Sequence, residues 1–279
     1  MEIVKKQRME EILKEPKILV LILAINKNPW RRIEVEGQGP TWRCLQPDNI
    51  EIMRYIGVGR QTLFWKMLNK LWMVNQGIQA VTGGKHSPRL LNLVLRRNQQ
   101  FKYKISQENK EIITTVPDLY SLIGIKTIEA FTASIQNLDF DYIYRTNVSS
   151  YVDLVQLNEF IRNKPRSGYY AGAIGAHQGI KFASGCGYFL SRDVVNKVLE
   201  NRDLWDHNLI DDVSLGKLLT EELNIEAQEV ERIDLDSINF NILQIKSKSQ
   251  SVFHYRCKAT DPKVTIQIMK SVHRIFEND

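Results

Sequence analysis

Asp139-Phe-Asp-Tyr-Ile-Tyr-Arg-Thr-Asn-Val-Ser-Ser-Tyr151 is an apolar run that stops at a row of small polar residues. Phe140, Tyr142, Ile143 and Tyr144 supply the aromatic and β-branched content of a buried strand, and Arg145 to Ser150 follow without a Gly or Pro break. In open α/β sheets ligands bind beyond the carboxyl ends of the strands, so Arg145, Thr146, Asn147 and Ser149 stand where a ligand is expected.

Outward from this strand the chain alternates between strand and helix patterns. Lys17 to Ile25 reads as a continuous apolar strand followed by a polar turn at Asn26 to Pro29, and Ile50 to Val58 as a second strand ending at Gly57-Val-Gly59, where backbone can approach a ligand closely. Glu111 to Val116 is a short strand. Asp118-Leu-Tyr-Ser is read as the cap of a helix through Ile125, Lys126, Phe131 and Ile135. Beyond the central strand follow a helix over Tyr151 to Arg162, a strand over Tyr169 to Ile174, and a glycine-bearing strand and turn at Phe182 to Ser191. A helix over Arg192 to Glu200, another opening at Leu209, the stretch Ser251 to Lys258 and a last amphipathic helix to Phe276 complete the chain. This order predicts one α/β domain over 1–279, with a largely parallel sheet flanked by helices. Residues 1–15 form a mixed-charge amphipathic extension, and 61–104 an inserted helical region interrupted at Gly83-Gly84 and resuming over Leu90 to Arg97.

Composition bounds the partners. The 279 residues are 43% hydrophobic and 25% charged, enough for a real core. Thirty-eight Lys and Arg against 32 Asp and Glu give +6 and a pI near 9.1, an excess that suits anionic ligands such as diphosphates, nucleic acid or acidic lipid. Arg89, Arg96, Arg97, Lys102 and Lys104, with Phe101 and Tyr103 between them, read as a solvated face or as a surface for membrane or nucleic-acid docking. Cys44, Cys186 and Cys257 are odd in number and widely spaced, which points to reduced thiols and a cytoplasmic location. The apolar run Ile18 to Ile25 is far short of the roughly 20 residues that span a bilayer.

Several segments, in order, resemble the inverting GT-A glycosyltransferases of the β-1,3-galactosyltransferase and fringe type. Thr41-Trp42 stands where that family's first helix ends. Asp118 to Thr127 is similar to its Asp, Tyr, Asn-Leu-Thr-x-Lys-Thr pattern. Ser184-Gly-Cys-Gly-Tyr-Phe-Leu-Ser191 and Asp211-Asp-Val-Ser-Leu-Gly216 are similar to two later segments. The resemblance implies transfer of a sugar from a nucleotide-sugar donor, UDP-linked by family habit, to a hydroxyl of a glycan or glycoconjugate, with inversion. Asp212 is then the general base, with Asp211 as helix cap or alternate base. Asn26, Arg32, Gly57, Lys126, Arg145, Asn147 and Ser149 are candidates for the nucleotide sugar; Arg32 on a solvated face and Lys126 as a helix cap are the alternatives. Gly185, Gly187 and Tyr188 are candidates for the acceptor, the glycines equally readable as a tight turn.

The chain departs from that family at the metal. Where the family carries Asp-Asp-Asp, Asn147-Val-Ser149 offers neutral oxygens, which are poor ligands for Mn²⁺ or Mg²⁺. Asp139-x-Asp141 does not replace them, because it enters the strand at its amino end, about 20 Å from the ligand edge. A retained metal would fall to His254 and Ser149. Otherwise Arg145, Arg256 and Lys258 are left to neutralise the leaving diphosphate. A protein that binds nucleotide sugar or glycan without turnover, and a nucleic-acid-binding module, are the alternatives; peripheral membrane contact is compatible with the catalytic reading.

Overall fold

The computed structural model describes residues 15–82, 92, 101–236, 242–248 and 250–277. The amphipathic extension before residue 15, Gly83-Gly84 and the expected helix over Leu90 to Arg97 lie outside these, apart from Asn92. Eleven strands occur among the described residues. They are β1 (Ile18–Leu23), β2 (Ile50–Gly59), β3 (Tyr103–Ser106), β4 (Glu111–Pro117), β5 (Tyr142–Asn147) and β6 (Ser150–Val152), then β7 (Tyr170–His177), β8 (Ile180–Ser191), β9 (Gln228–Glu229), β10 (Ile233–Leu235) and β11 (His254–Cys257). The helices are α1 (Trp30–Ile33, prolonged by a π turn to Gln38), α2 (Leu63–Thr82), α3 (Ile123–Asn137), α4 (Leu154–Arg162), α5 (Arg192–Glu200), α6 (Asp211–Lys217), α7 (Ile242–Lys248) and α8 (Pro262–Glu277).

Eight strands form the central sheet in the order β3-β4-β2-β1-β5-β8-β7-β9, and β10-β11-β6 form a small second sheet. The unbroken apolar run of β1 is explained by burial on both faces. Ile18, Val20 and Ile22 join Tyr142 and Tyr144 in a core closed by Ile266, Met269 and Val272 of α8. Leu19 and Leu21 join Ile143 and Tyr55 in another, closed by Phe131 of α3 and Val194 and Val195 of α5. No helix among the described residues is long and apolar enough to cross a membrane.

The sheet is mostly parallel, as the order of elements predicts, and the elements differ from expectation at three places. The sheet is parallel through β4, β2, β1 and β5, but β8 runs antiparallel to both β5 and β7. Phe182 to Ser191 is therefore the return arm of a hairpin, and not a strand and turn. Its tight connection at Gln178 and Gly179 has positive φ, 52° and 83°, as the favoured two-residue turns require. Residues 150–152 are strand rather than helix, because they pair antiparallel with His254 to Arg256. The helix starts at Leu154, where Asp153 Oδ1 accepts from the amides of Val155 and Gln156, each at 3.0 Å. Asp118 caps no helix; α3 begins after Leu122 without a side-chain cap.

Candidate functional site

The parallel register sets Leu23 of β1 beside Asn147 of β5, with Tyr55 of β2 on the other side of Leu23, so these strands end on one edge. Two groups of polar residues gather there, and β8 joins them because Thr146 pairs with Gly187 and Arg145 with Tyr188.

The first group is built on Arg145. Its side chain is only 2% exposed, so every donor needs a partner. Nε donates to Tyr55 Oη at 3.0 Å, Nη2 to Asp211 Oδ2 at 2.7 Å, and Nη1 to the Gly185 carbonyl. The Tyr188 ring lies beneath the guanidinium, 5.6 Å from it, and is 1% exposed. The structure therefore places Tyr188 as a buried floor, with no face open to an acceptor ring. Asp211 is committed to Arg145 instead of capping α6, which starts after Ile210 with no side-chain cap.

Asp212, the next residue, turns the other way. Its Oδ2 accepts from Gly185 N at 2.7 Å and its Oδ1 from Val213 N at 3.0 Å. Burial pushes its pKa up to about 6, helped by the neighbouring Asp211 carboxylate and resisted by the Gly185 amide and Arg145. A carboxylate so poised is ionised at neutral pH yet basic enough to take a proton. Gly185 makes this contact possible: a Cβ there would sit 2.7 Å from Arg145 Nη1 and 3.0 Å from Asp212 Oδ2.

The second group is built on the turn after β5. Asn147 Oδ1 accepts from the amide of Ser149 at 3.1 Å and from its hydroxyl at 2.8 Å. Gln38 Nε2 donates to the carbonyls of Asn147 and Ser150, both at 3.0 Å, and Trp42 Nε1 to Ser150 O at 3.1 Å. The Thr41-Trp42 segment thus braces this turn from behind. His254 is 2% exposed, with Nε2 3.0 Å from Ser150 Oγ. Burial, then Arg232 and Arg256, hold its pKa well below the usual histidine range, so the ring is neutral. A Cβ at Gly187 would collide with Tyr144 Oη and with the His254 ring, so Gly187 is required by packing. Tyr144 Oη is buried without a hydrogen-bond partner.

This donor set does not fit a hard divalent cation. Asn147 Oδ1 is taken by Ser149, His254 Nε2 is engaged by Ser150, and among the described residues no three His, Cys, Asp or Glu side chains converge. Asp139 and Asp141 lie at the amino end of β5, bound to Lys17 and, for Asp141, to Arg166 at 2.5 Å.

The remaining candidates divide. Arg256 is partly exposed, 3.4 Å from Asp234, while Lys258 is exposed. Lys126 is buried, with Nζ 2.6 Å from Asp118 and 3.3 Å from the Ala24 carbonyl; burial lowers its pKa against the pull of Asp118. Gly57 backs onto β4, where a Cβ would collide with the Val116 carbonyl. Exposed Asn26 accepts from Arg54 Nη2, and Arg54 is itself held by Glu34 at 3.1 Å and Glu111 at 2.8 Å. Arg32 pairs with Glu36 on the surface at 2.9 Å. Sequence reading missed Arg232, whose Nη1 donates to Ser184 Oγ at 2.9 Å, next to Gly185. It also missed Tyr55 and Gln38, which no local pattern marks.

No protein-family model matches the chain, and no curated protein matches it. Among solved structures, mouse xyloside xylosyltransferase 1 in its apo form is similar over 86% of this chain and 97% of that one, at 9% identity and a TM-score of 0.40. The galactosyltransferase LgtC, solved with donor and acceptor sugar analogs, is similar over 91% and 95%, at 10% identity and 0.42. The mannosyltransferase PcManGT from Pyrobaculum calidifontis, solved with GDP-Man and Mn²⁺, is similar over 98% and 76%, at 9% identity and 0.40. At these values the likenesses are of outline only.

Proposed function

We propose that the chain is a GT-A-type glycosyltransferase that moves a sugar from a nucleotide-sugar donor, UDP-linked in the first instance, to a hydroxyl of a glycan or glycoconjugate, with inversion. The observation that carries this reading is Asp212, a carboxylate with its pKa raised to about 6, anchored on the Gly185 amide at the strand-end edge of the sheet. In the reaction Asp212 takes the acceptor proton as the acceptor oxygen bonds to the sugar's anomeric carbon. The bond from that carbon to the diphosphate oxygen breaks on the opposite face, its electron pair leaving with the nucleoside diphosphate. The Asp211 carboxylate, paired with Arg145, stands next to Asp212 and favours protonation of the base.

The departing charge needs cations, because no carboxylate-held metal is built into the Asn147-Val-Ser149 turn. Arg232, just before β10, and Arg256, on the adjoining β11, both pair with Asp234 and both act on His254 electrostatically, which supports them as the diphosphate's partners. Asn147 and Ser149 are proposed to meet ribose or diphosphate, and Asn26, propped by Arg54, the nucleoside. One observation favours a second reading, binding without turnover: the turn after β5 carries Asn147-Val-Ser149 and no carboxylate.

A thermal-shift screen of nucleotides and nucleotide sugars, each with EDTA or Mn²⁺, tests the donor class, since a ligand at a hundred times its Kd adds about 2.7 kcal/mol of apparent stability. Stabilisation by one nucleoside diphosphate and its sugars is expected. No shift with any of them would sink the reading. Stabilisation without release of nucleoside diphosphate in the presence of glycan acceptors would select the binding protein.

A further inference from the structure

Helix α2 has two apolar faces, and the fold uses one. Leu68 and Trp72 are buried against Val116, Leu122 and Ile125. On the opposite arc Leu63, Met67, Leu71, Val74 and Val81 recur at helical spacing and are 75%, 56%, 63%, 61% and 88% exposed. At 1.5 Å per residue this stripe is about 27 Å long. Leaving so continuous an aliphatic surface in water is unfavourable by about 25 cal/mol for each Å², and such stripes mark a contact with something apolar.

Charge decides what that is. From Glu51 to Glu108 the sequence contains no other Asp or Glu, while Arg60, Lys66, Lys70, Lys85, Arg89 and Arg96 all fall between them. Lys66 and Lys70 lie on α2 beside the stripe. A second copy of the chain is a poor occupant, because a twofold contact on this face would bring the lysines Lys66 and Lys70 of two copies together with no carboxylate of α2 to offset them. A surface that is apolar in the middle and basic at its margin matches an anionic bilayer, whose headgroups attract lysines while the acyl boundary accepts leucine, methionine and valine.

We propose that the outer face of α2 lies on an anionic phospholipid bilayer, with Leu63, Met67, Leu71, Val74 and Val81 at the headgroup–acyl boundary and Lys66 and Lys70 among the lipid phosphates. This is independent of the sugar-transfer reading and stands if that reading fails. Because all five apolar residues are exposed, polar substitutions there remove little of the fold's own packing.

The test is flotation of the full chain with vesicles of phosphatidylcholine alone or mixed with phosphatidylglycerol. The mixed vesicles are expected to carry the protein, less so as salt rises. Leu71→Glu with Val74→Glu is expected to abolish flotation, and Lys66→Gln with Lys70→Gln to weaken it roughly tenfold or more, at about 1 kcal/mol per lysine. If the glutamate pair does not fold, Leu71→Ser with Val74→Ser carries the same expectation. Failure to float with mixed vesicles, or flotation unaffected by the stripe variants, overturns the proposal. So does a wild-type dimer in light scattering that the stripe variants convert to monomer, which assigns the face to a second copy. Retention on DNA with no vesicle binding assigns the basic segment to nucleic acid and overturns it as well.

Discussion

Arg145 and Asp211 meet at 2.7 Å, their side chains 2% and 10% exposed, and 66 residues of chain separate them. The pair ties the central strand to the helix that carries Asp212. Breaking a buried pair by removing one partner leaves an unmatched charge, which costs about 3–5 kcal/mol. Asp211→Ala is therefore expected to lower stability by that much in urea unfolding, and Arg145→Met with Asp211→Leu to recover most of the loss. Equal stability of the single variant and the wild type would show that Arg145 does not depend on this carboxylate.

Asp212 carries the proposed chemistry. Asp212→Asn is expected to lower kcat by about 10²–10⁴, the usual contribution of a general base, while donor affinity measured by calorimetry is unchanged. In the wild type kcat/KM should rise with pH through about 6 as the carboxylate ionises. A flat profile between pH 5 and 8, or an active asparagine variant, would remove the assignment.

The same carboxylate makes a stability prediction of opposite appearance. Its folded pKa, about 6, lies above the ordinary aspartate value near 3.9. Below that ordinary value both states are protonated. As pH climbs toward 6 the unfolded chain gives up its proton first, and folded stability falls. An asparagine amide has no proton to lose in this range, so Asp212→Asn should melt several degrees above the wild type at pH 8, with the gap closing toward pH 4. A variant less stable at both pH values would contradict the raised pKa.

Gly185→Ala forces a methyl group to within 2.7 Å of Arg145 Nη1 and 3.0 Å of Asp212 Oδ2. Overpacking of this kind costs about 1–3 kcal/mol, and here it also pushes the base off its amide anchor. Turnover is expected to fall more than tenfold at a modest loss of melting temperature. Retention of full activity would mean the base does not need the Gly185 amide.

Asn147→Asp places a carboxylate at the end of β5. If this position faces the diphosphate, activity should acquire a steeper dependence on Mn²⁺, because a charged oxygen binds a hard cation far better than an amide. A metal titration that does not change would place the donor elsewhere.

Local signals carried much of the fold. The run Phe140 to Tyr144 announced a central strand, and the pattern from Arg192 to Glu200 gave a helix with the limits found. The mostly parallel sheet was legible, but the direction of β8 was not, since β8 is buried on both faces and an apolar strand reads alike in a parallel or antiparallel setting. Tyr151 and Val152 suit either helix or strand until His254 and Tyr255 come alongside. At the site, the neighbourhood of Gly185 and Asp211-Asp212 was marked by motif resemblance. The different partners of the two aspartates were not, because they depend on Arg145 reaching one and a backbone amide reaching the other. Arg232 sits among Glu231 and Asp234 and looks like an ordinary surface charge until Ser184 is folded against it.

Trp72 hangs by its indole on the carbonyl of His207 at 2.9 Å, and Gln76 holds the next carbonyl, that of Asn208. These residues lead directly into Asp211 and Asp212. The segment before the two aspartates is thus fastened to a 20-residue helix on one side, as Arg145 fastens Asp211 on the other. The carboxylates are thereby placed as the chain folds, so the proposed proton transfer would need no conformational search before it. A segment without helix or strand of its own thus takes its place from a helix far earlier in the chain.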